Sequence, residues 1–245
     1  MAVDRKLTMK HMLMPGARLF LGAFVVLAAF ANRNAAQQWS SDGFVPLFNG
    51  RDLTGWTERR FRKDNPSEQT QGEWVVRNGE LVCAGDATGY LKSDGQYGDY
   101  ILRLEFKFCP NSYTGVYLRC NESGNVAVQT GMKIHILSQD YAGKHGQARD
   151  EGTGAIQGIC SAKARLQPIG EWNTMEVRCD GNTVEVLLNG SRTSLVDMHL
   201  DKRLQDRPRS GFLGISNWEG EAKGVSFRNI RIKDLSASSP KSTAP

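Results

Sequence analysis

Residues 168–190 spell out a β-hairpin together with its buried and solvent faces, and they constrain the fold more than any other stretch. In Trp172-Asn173-Thr174-Met175-Glu176-Val177-Arg178-Cys179, the apolar Met175, Val177 and Cys179 alternate with polar neighbours. A period of two marks a half-buried strand. Asp180-Gly181 supplies a turn, after which Val184, Val186 and Leu188 alternate with Thr183 and Glu185. A two-residue Asp-Gly turn sets Val177 opposite Val184 and Met175 opposite Val186. A register displaced by two residues keeps the same faces together, so the facing is fixed more firmly than the pairing.

The same alternation recurs along the chain. Residues 74–77 and 80–83 flank Asn78-Gly79, a strong hairpin signal. In 100–108, Leu102, Leu104, Phe106 and Phe108 point one way and Arg103, Glu105 and Lys107 the other. Val116, Leu118 and Cys120 are expected inward, with Tyr117 and Arg119 opposite; Met132, Ile134 and Ile136 inward, with Lys133 and His135 opposite. The last strands are expected at 212–216 and 225–235, the second slipping phase at Arg228-Asn229 as a bulge would cause. Residues 37–57 read as an edge strand and its loop, and 59–72 as a surface loop. The glycine-rich stretch 138–158 reads as a long excursion over one end of a sheet. Roughly ten to twelve short strands without a helical period predict an all-β fold, a two-sheet antiparallel sandwich. No linker interrupts 37–236, which is expected to be a single domain, with 237–245 an unstructured tail.

Residues 1–36 read as an export signal: Arg5, Lys6, Lys10 and Arg18 precede the apolar run 19–31, and small residues stand before cuts after Ala31 or Ala36. The run is shorter than the about 20 residues a span needs, so no integral membrane span is expected after its removal, and the protein is expected to be secreted or periplasmic. These 36 residues hold five basic side chains against Asp4, and their loss takes the formal charge from +5 to +1. Without a basic stripe interleaved with aromatics, nucleic acid is not an expected partner. The oxidising compartment permits a disulfide among Cys83, Cys109, Cys120, Cys160 and Cys179, although the odd count leaves one over. Cys120 and Cys179 share phase with core residues and read as small buried hydrophobes. No Cys-x-x-Cys spacing occurs, and the sequence assigns neither metal nor cofactor.

Six stretches carry a resemblance. They are Leu47-Phe48-Asn49-Gly50-Arg51-Asp52-Leu53-Thr54-Gly55-Trp56, Tyr97-Gly98-Asp99-Tyr100-Ile101-Leu102-Arg103-Leu104-Glu105-Phe106 and Gly115-Val116-Tyr117-Leu118-Arg119, then Thr153-Gly154-Ala155-Ile156, Gly170-Glu171-Trp172-Asn173 with Leu188-Asn189-Gly190, and Phe227-Arg228-Asn229-Ile230-Arg231-Ile232. In this order, over nearly the whole chain beyond residue 36, they resemble the 3-keto-disaccharide hydrolase domain family. The resemblance implies a concanavalin-like jelly roll, a fold that hosts enzymes and sugar-binding modules alike. It also implies an exported carbohydrate-active enzyme, a hydrolase or lyase that cleaves 3-keto glycosides. The alternatives are a non-catalytic carbohydrate-binding module and a purely structural surface protein.

A ketone on the sugar ring acidifies the neighbouring C–H, so a base, an acid and an electrophile for the enolate suffice in place of two carboxylates. Tyr117, Arg119, Lys133 and His135 alternate away from the core on two strands and line a groove if that sheet is concave. Arg119 is the expected electrophile, His135 the base or acid and Tyr117 a stacking surface, with Lys133 beside them. The bland reading of the same residues is a solvated sheet face. The family pattern carries an acidic residue, a glutamine and an aspartate where this chain has Lys133, His135 and Ser138, so Asp140 is the nearest replacement carboxylate. Asn217-Trp218-Glu219-Gly220 replaces a segment that in the family ends in histidine and glycine. Glu219 is thus a candidate acid or base, or else a turn carboxylate, and Trp218 a sugar platform. Trp172 opens a core strand and reads as packing. His145, Asp150 and Glu151 on the glycine-rich loop read as a lid or metal contact, or as solvated side chains. No Gly-x-Ser-x-Gly elbow is present.

Overall fold

A computed structural model gives the architecture and describes residues 42–60, 74–85, 88–121, 130–141, 152–217 and 221–236. The chain divides into two units, 1–42 and 43–245, and only Asp42 of the first is described. The expected export signal, the tail 237–245, Trp218 with Glu219, and His145, Asp150 and Glu151 lie outside the described residues. Among the described residues no helix is long and apolar enough to cross a membrane. Thirteen strands are described: β1 (Val45–Pro46), β2 (Trp56–Arg60), β3 (Trp74–Arg77), β4 (Glu80–Cys83), β5 (Gly89–Ser93), β6 (Tyr100–Lys107) and β7 (Tyr113–Cys120), followed by β8 (Met132–Leu137), β9 (Trp172–Asp180), β10 (Thr183–Leu188), β11 (Ser191–Asp197), β12 (Phe212–Asn217) and β13 (Ser226–Asp234). They form two antiparallel sheets. The larger runs β11-β10-β9-β6-β13-β4-β3, with β1 also paired to β13, and the smaller runs β2-β5-β12-β7-β8. The expected two-sheet sandwich is what the chain forms.

Period-two patterning explains the layers. On β6, Leu102, Leu104 and Phe106 face Met175, Val177 and Phe227 of the same sheet and Leu118, Ile134, Ile136 and Ile215 of the other in one core. The outward Arg103, Glu105 and Lys107 pair with Glu176 at 2.6 Å, Arg228 at 2.7 Å and Glu80 at 3.1 Å. Such half-exposed pairs contribute about 0–1 kcal/mol each, so burial of the inward row supplies most of the stability. Asn78 (φ 53°) and Gly79 (φ 79°) make the expected tight turn between β3 and β4. The expected bulge on β13 is present, with Asn229 at φ 52° and the register shifting between Arg228 and Arg231.

The hairpin at 168–190 keeps its faces and changes its register. Val184 lies opposite Cys179, Val186 opposite Val177 and Leu188 opposite Met175, so the loop is Gly181-Asn182 and the pairing is displaced by two residues. Contacts distant in sequence hold this register: the Gly181 N–H donates to Asp99 Oδ1 at 2.9 Å, and its carbonyl accepts from Arg119 Nη1 at 2.9 Å.

Arg119 breaks the expected alternation. Phe212 pairs with Cys120 and Gly214 with Tyr117, so β7 uses three residues where β12 uses two. Arg119 takes φ 49° at that bulge. Its side chain is 0 % exposed, with Nε donating to Gly98 O, Nη1 to Gly181 O and Nη2 to Asp99 Oδ1, each at 2.9 Å. It therefore ties the small sheet to the β6 and β9–β10 end of the large one, and does not stand beside Tyr117 as expected. The same bulge turns Cys120 out of the core and into a cluster with Tyr90, Tyr117 and Phe212. A Cβ at Gly211 would lie 2.6 Å from the Arg119 carbonyl carbon, so only glycine fits against the bulged backbone.

No disulfide joins the five cysteines, all of them in described segments. Burial pushes the Cys179 thiol up to about 11 and the Cys120 thiol up to about 12. Raised folded values stabilise the native state fully below the unfolded thiol value of about 8.5, and that contribution is lost as pH rises through about 11 to 12. With an aromatic disulfide reagent at pH 8, Cys120 and Cys179 are expected to stay silent until denaturant is added. Full reaction of all five in the native protein would contradict this burial.

Candidate functional site

The face of the small sheet turned away from the core gathers the polar aromatic chemistry of the chain. Antiparallel pairing sets Gly115 opposite His135, Tyr117 opposite Lys133 and Tyr113 opposite Leu137, so Tyr113, Tyr117, Lys133 and His135 share that face. Lys133 Nζ donates to Tyr113 Oη at 2.9 Å and lies 4.1 Å from the Tyr113 ring centre and 5.6 Å from that of Tyr117. An ammonium over two aromatic faces is held by their quadrupoles. The His135 ring meets Tyr113 edge-on at 5.5 Å, and Tyr117 meets Tyr90 edge-on at 6.3 Å. Gly115 permits this arrangement, because a Cβ there would come within 2.5 Å of both Lys133 Cε and the Ile134 carbonyl oxygen. Lys133 (5 % exposed) and His135 (2 %) are buried, which corrects the picture of an open sheet face. Burial also raises the Tyr117 hydroxyl well above the usual phenol range, so it is a neutral hydrogen-bonding group.

The surrounding segments fix the face. Of the expected loop excursion at 138–158, residues 142–151 lie outside the described residues, and residues 154–157 run along the β8 edge: His135 N–H donates to Ala155 O, Gly154 N–H to His135 O and Gln157 N–H to Lys133 O, each at 2.9 Å. Both site residues on β8 thus have their backbones clamped from two sides. Past β8, Tyr141 stacks on Tyr113 at 5.3 Å and 8°, and its hydroxyl donates to Glu221 Oε1 at 2.7 Å. The Glu221 carbonyl accepts the Tyr113 N–H at 2.8 Å. Asp140 lies exposed at the rim, its Oδ2 accepting the Asn111 N–H at 2.7 Å.

Of the sequence candidates, the structure brings Tyr117, Lys133 and His135 together, sets Asp140 at their margin and removes Arg119 to the inter-sheet clamp. Trp218 and Glu219 fall outside the described residues. Trp172 faces outward on the large sheet rather than into the core, with the Arg228 guanidinium 3.9 Å and the Lys107 ammonium 4.5 Å from its ring centre. Tyr113, Gly115, Tyr141 and Glu221 are additions. Tyr113 and Gly115 share phase with Tyr117 and were within reach of the alternation argument, whereas nothing in the local pattern marks Tyr141 or Glu221. Among the described residues no group of three or more His, Cys, Asp or Glu gathers to hold a metal ion. What the face does offer is a fixed cation beside a phenol, and an imidazole two residues along the same strand.

The sequence profile of the 3-keto-alpha-glucoside-1,2-lyase-like domain family matches residues 43–233. No curated protein matches the chain. Among solved structures, two proteins from Parabacteroides distasonis ATCC 8503, described as candidate glycosyl hydrolases, superpose with TM-scores of 0.66 and 0.63. The first is 21% identical and the match covers 81% of this chain and 97% of that one; the second is 23% identical, covering 78% and 99%. A carbohydrate binding module from Bacillus subtilis, CBM66, superposes with a TM-score of 0.51 at 12% identity, covering 74% of this chain and 97% of the module. At these identities the structural likenesses establish the sandwich fold.

Proposed function

Because this chain belongs to the 3-keto-alpha-glucoside-1,2-lyase-like domain family, we propose that its buried tyrosine, lysine and histidine face cleaves glycosides oxidised to a ketone at C3. The observation that carries this reading is the Lys133 ammonium held 2.9 Å from the Tyr113 hydroxyl on the same face as His135. Two donors converge where a carbonyl oxygen would gain charge, and such preorganised donors in a water-poor site stabilise an enolate. Lys133 takes the electrophile's role expected of Arg119.

His135 takes the C2 proton, and the C–H electron pair passes into the C2–C3 bond as the C3 oxygen becomes an enolate held by Lys133 and Tyr113. When the ketone reforms, that pair becomes the C1=C2 bond and the C1–O bond to the aglycone breaks. The protonated His135 returns its proton to the departing oxygen. Water then adds at C1 and a proton at C2, so the sum is hydrolysis. Tyr141, fixed by Glu221, orients the Tyr113 ring by stacking on it.

The test is turnover by the wild-type chain. A 3-keto glucoside is expected to release its aglycone, while the same glucoside with a C3 hydroxyl is not. Cleavage of both would mean ordinary glycosidase chemistry. Binding of either without release would make the chain a non-catalytic carbohydrate-binding module.

A further inference from the structure

The outermost strand of a sheet carries a row of backbone groups that no neighbour pairs, and such an edge is a template for another strand. In the small sheet the β8 edge is closed by residues 154–157, which bond the backbones of Lys133 and His135. The larger sheet ends on β11, where among the described residues 191–196 make no backbone hydrogen bond on the side away from β10. Leu195, near the middle of this edge, is 52 % exposed. A bulge sets the side chains of the strand. Leu187 pairs with Arg192 and Val186 with Ser194, which leaves Thr193 as the extra residue, and Leu195 and Asp197 follow opposite Glu185 and Thr183. The Thr193 and Ser194 hydroxyls both turn to the Gly154 carbonyl, at 3.5 and 2.7 Å. Thr183, Glu185 and Leu187 alternate with the buried Val184, Val186 and Leu188, so their partners Arg192, Leu195 and Asp197 share the outer face at equal spacing.

That row reads cation, apolar, anion, and it is its own antiparallel complement. We propose that β11 pairs with β11 of a second copy of this chain about a two-fold axis at Leu195, joining the two larger sheets into one. The axis sets Leu195 against its mate and Arg192 against Asp197 at both ends. Parallel pairing would set Arg192 against Arg192 and Asp197 against Asp197, so charge selects the antiparallel arrangement. Arg192 has the freedom to turn across the edge, since its side chain is 60 % exposed and meets Glu185 at 3.5 Å, a long contact for an ion pair. Asp197 is fixed by the His199 N–H, which donates to Oδ1 at 2.8 Å. The buried face with Lys133 and His135 belongs to the small sheet, so this interface is separate from it and independent of the reaction proposed above.

Sedimentation equilibrium of the full chain is expected to give twice the monomer mass, falling toward the monomer on dilution. Leu195→Glu sets two carboxylates against each other at the axis and is expected to give a monomer with a melting temperature close to the wild type. Arg192→Glu and Asp197→Arg are each expected to be monomeric alone, because like charges then face one another. Mixed together they are expected to dimerise, since the mixture restores opposite charges at both ends. Leu195→Cys brings two thiols face to face and is expected to give a covalent dimer under mild oxidation where the wild type gives none. This exchange carries the test if a charged variant fails to fold. A monomer at every concentration, folded charge variants that stay monomeric on mixing, or a dimer that survives Leu195→Glu while Leu195→Cys stays uncrosslinked would each overturn the proposal.

Discussion

Arg119→Ala is expected to lower the stability of the domain rather than merely silence it. The guanidinium is buried between the two sheets and satisfies Gly98 O, Gly181 O and the Asp99 carboxylate. Its removal takes the donor from the Gly98 and Gly181 carbonyls, leaves Asp99 with the Gly181 N–H, and opens a cavity at the end of the sandwich. Breaking a buried ion pair from one side costs on the order of 3–5 kcal/mol, which for a domain of this size lowers Tm by roughly 10–15 °C. Arg119→Lys is expected to recover only part of the loss, because one ammonium cannot reproduce a planar fork aimed at three fixed acceptors. Calorimetry of the two variants decides the matter. A wild-type Tm in Arg119→Ala together with lost turnover would return Arg119 to the catalytic site.

The second large effect is on turnover. His135→Asn is expected to lower kcat by about 100- to 10,000-fold, the range for removing a general base, and Lys133→Met by about 100- to 1,000-fold, as for a lost oxyanion donor. Near-isosteric replacements are needed because both side chains are buried, and alanine would confound catalysis with cavity formation. Tyr113→Phe, which removes only the hydroxyl 2.9 Å from Lys133, is expected to act in the same direction by a smaller factor. If Lys133→Met and His135→Asn both keep wild-type kcat in folded protein, the chemistry lies elsewhere.

The facing of the strands was legible because it depends only on a period of two, as in Met175, Val177 and Cys179. The hairpin register was not, because Asp99 and Arg119 choose it from 82 and 62 residues away. Arg119 itself misled the alternation argument through one residue at positive φ, which swaps the faces of everything after it on β7. Several stretches that carry the family resemblance prove to be scaffold. Asn49 and Asp52 build a turn in which Asn49 Oδ1 accepts the Arg51 and Asp52 N–H groups, and hydrogen bonds from Thr54 and Asn49 hold the Asp52 carboxyl down at about 2. Trp56 Nε1 donates to Leu47 O at 2.8 Å, closing the same loop. Asn173 and Asn189 join the two strands of the hairpin to residues 165–167. Such motifs announce the fold, whereas Lys133 and His135 lie outside them.

The central claim is that bond cleavage begins by removing the C2 proton, and the position of deuterium in the product tests it most directly. A 3-keto glucoside is incubated with the wild-type chain in D2O and the released 3-keto sugar is read by proton NMR before nonenzymatic exchange sets in. Elimination and rehydration predict loss of the C2–H signal and one carbon-bound deuterium per turnover. Released sugar that keeps its C2 hydrogen would contradict the account, since the glycosidic bond would then have been broken by direct displacement at C1.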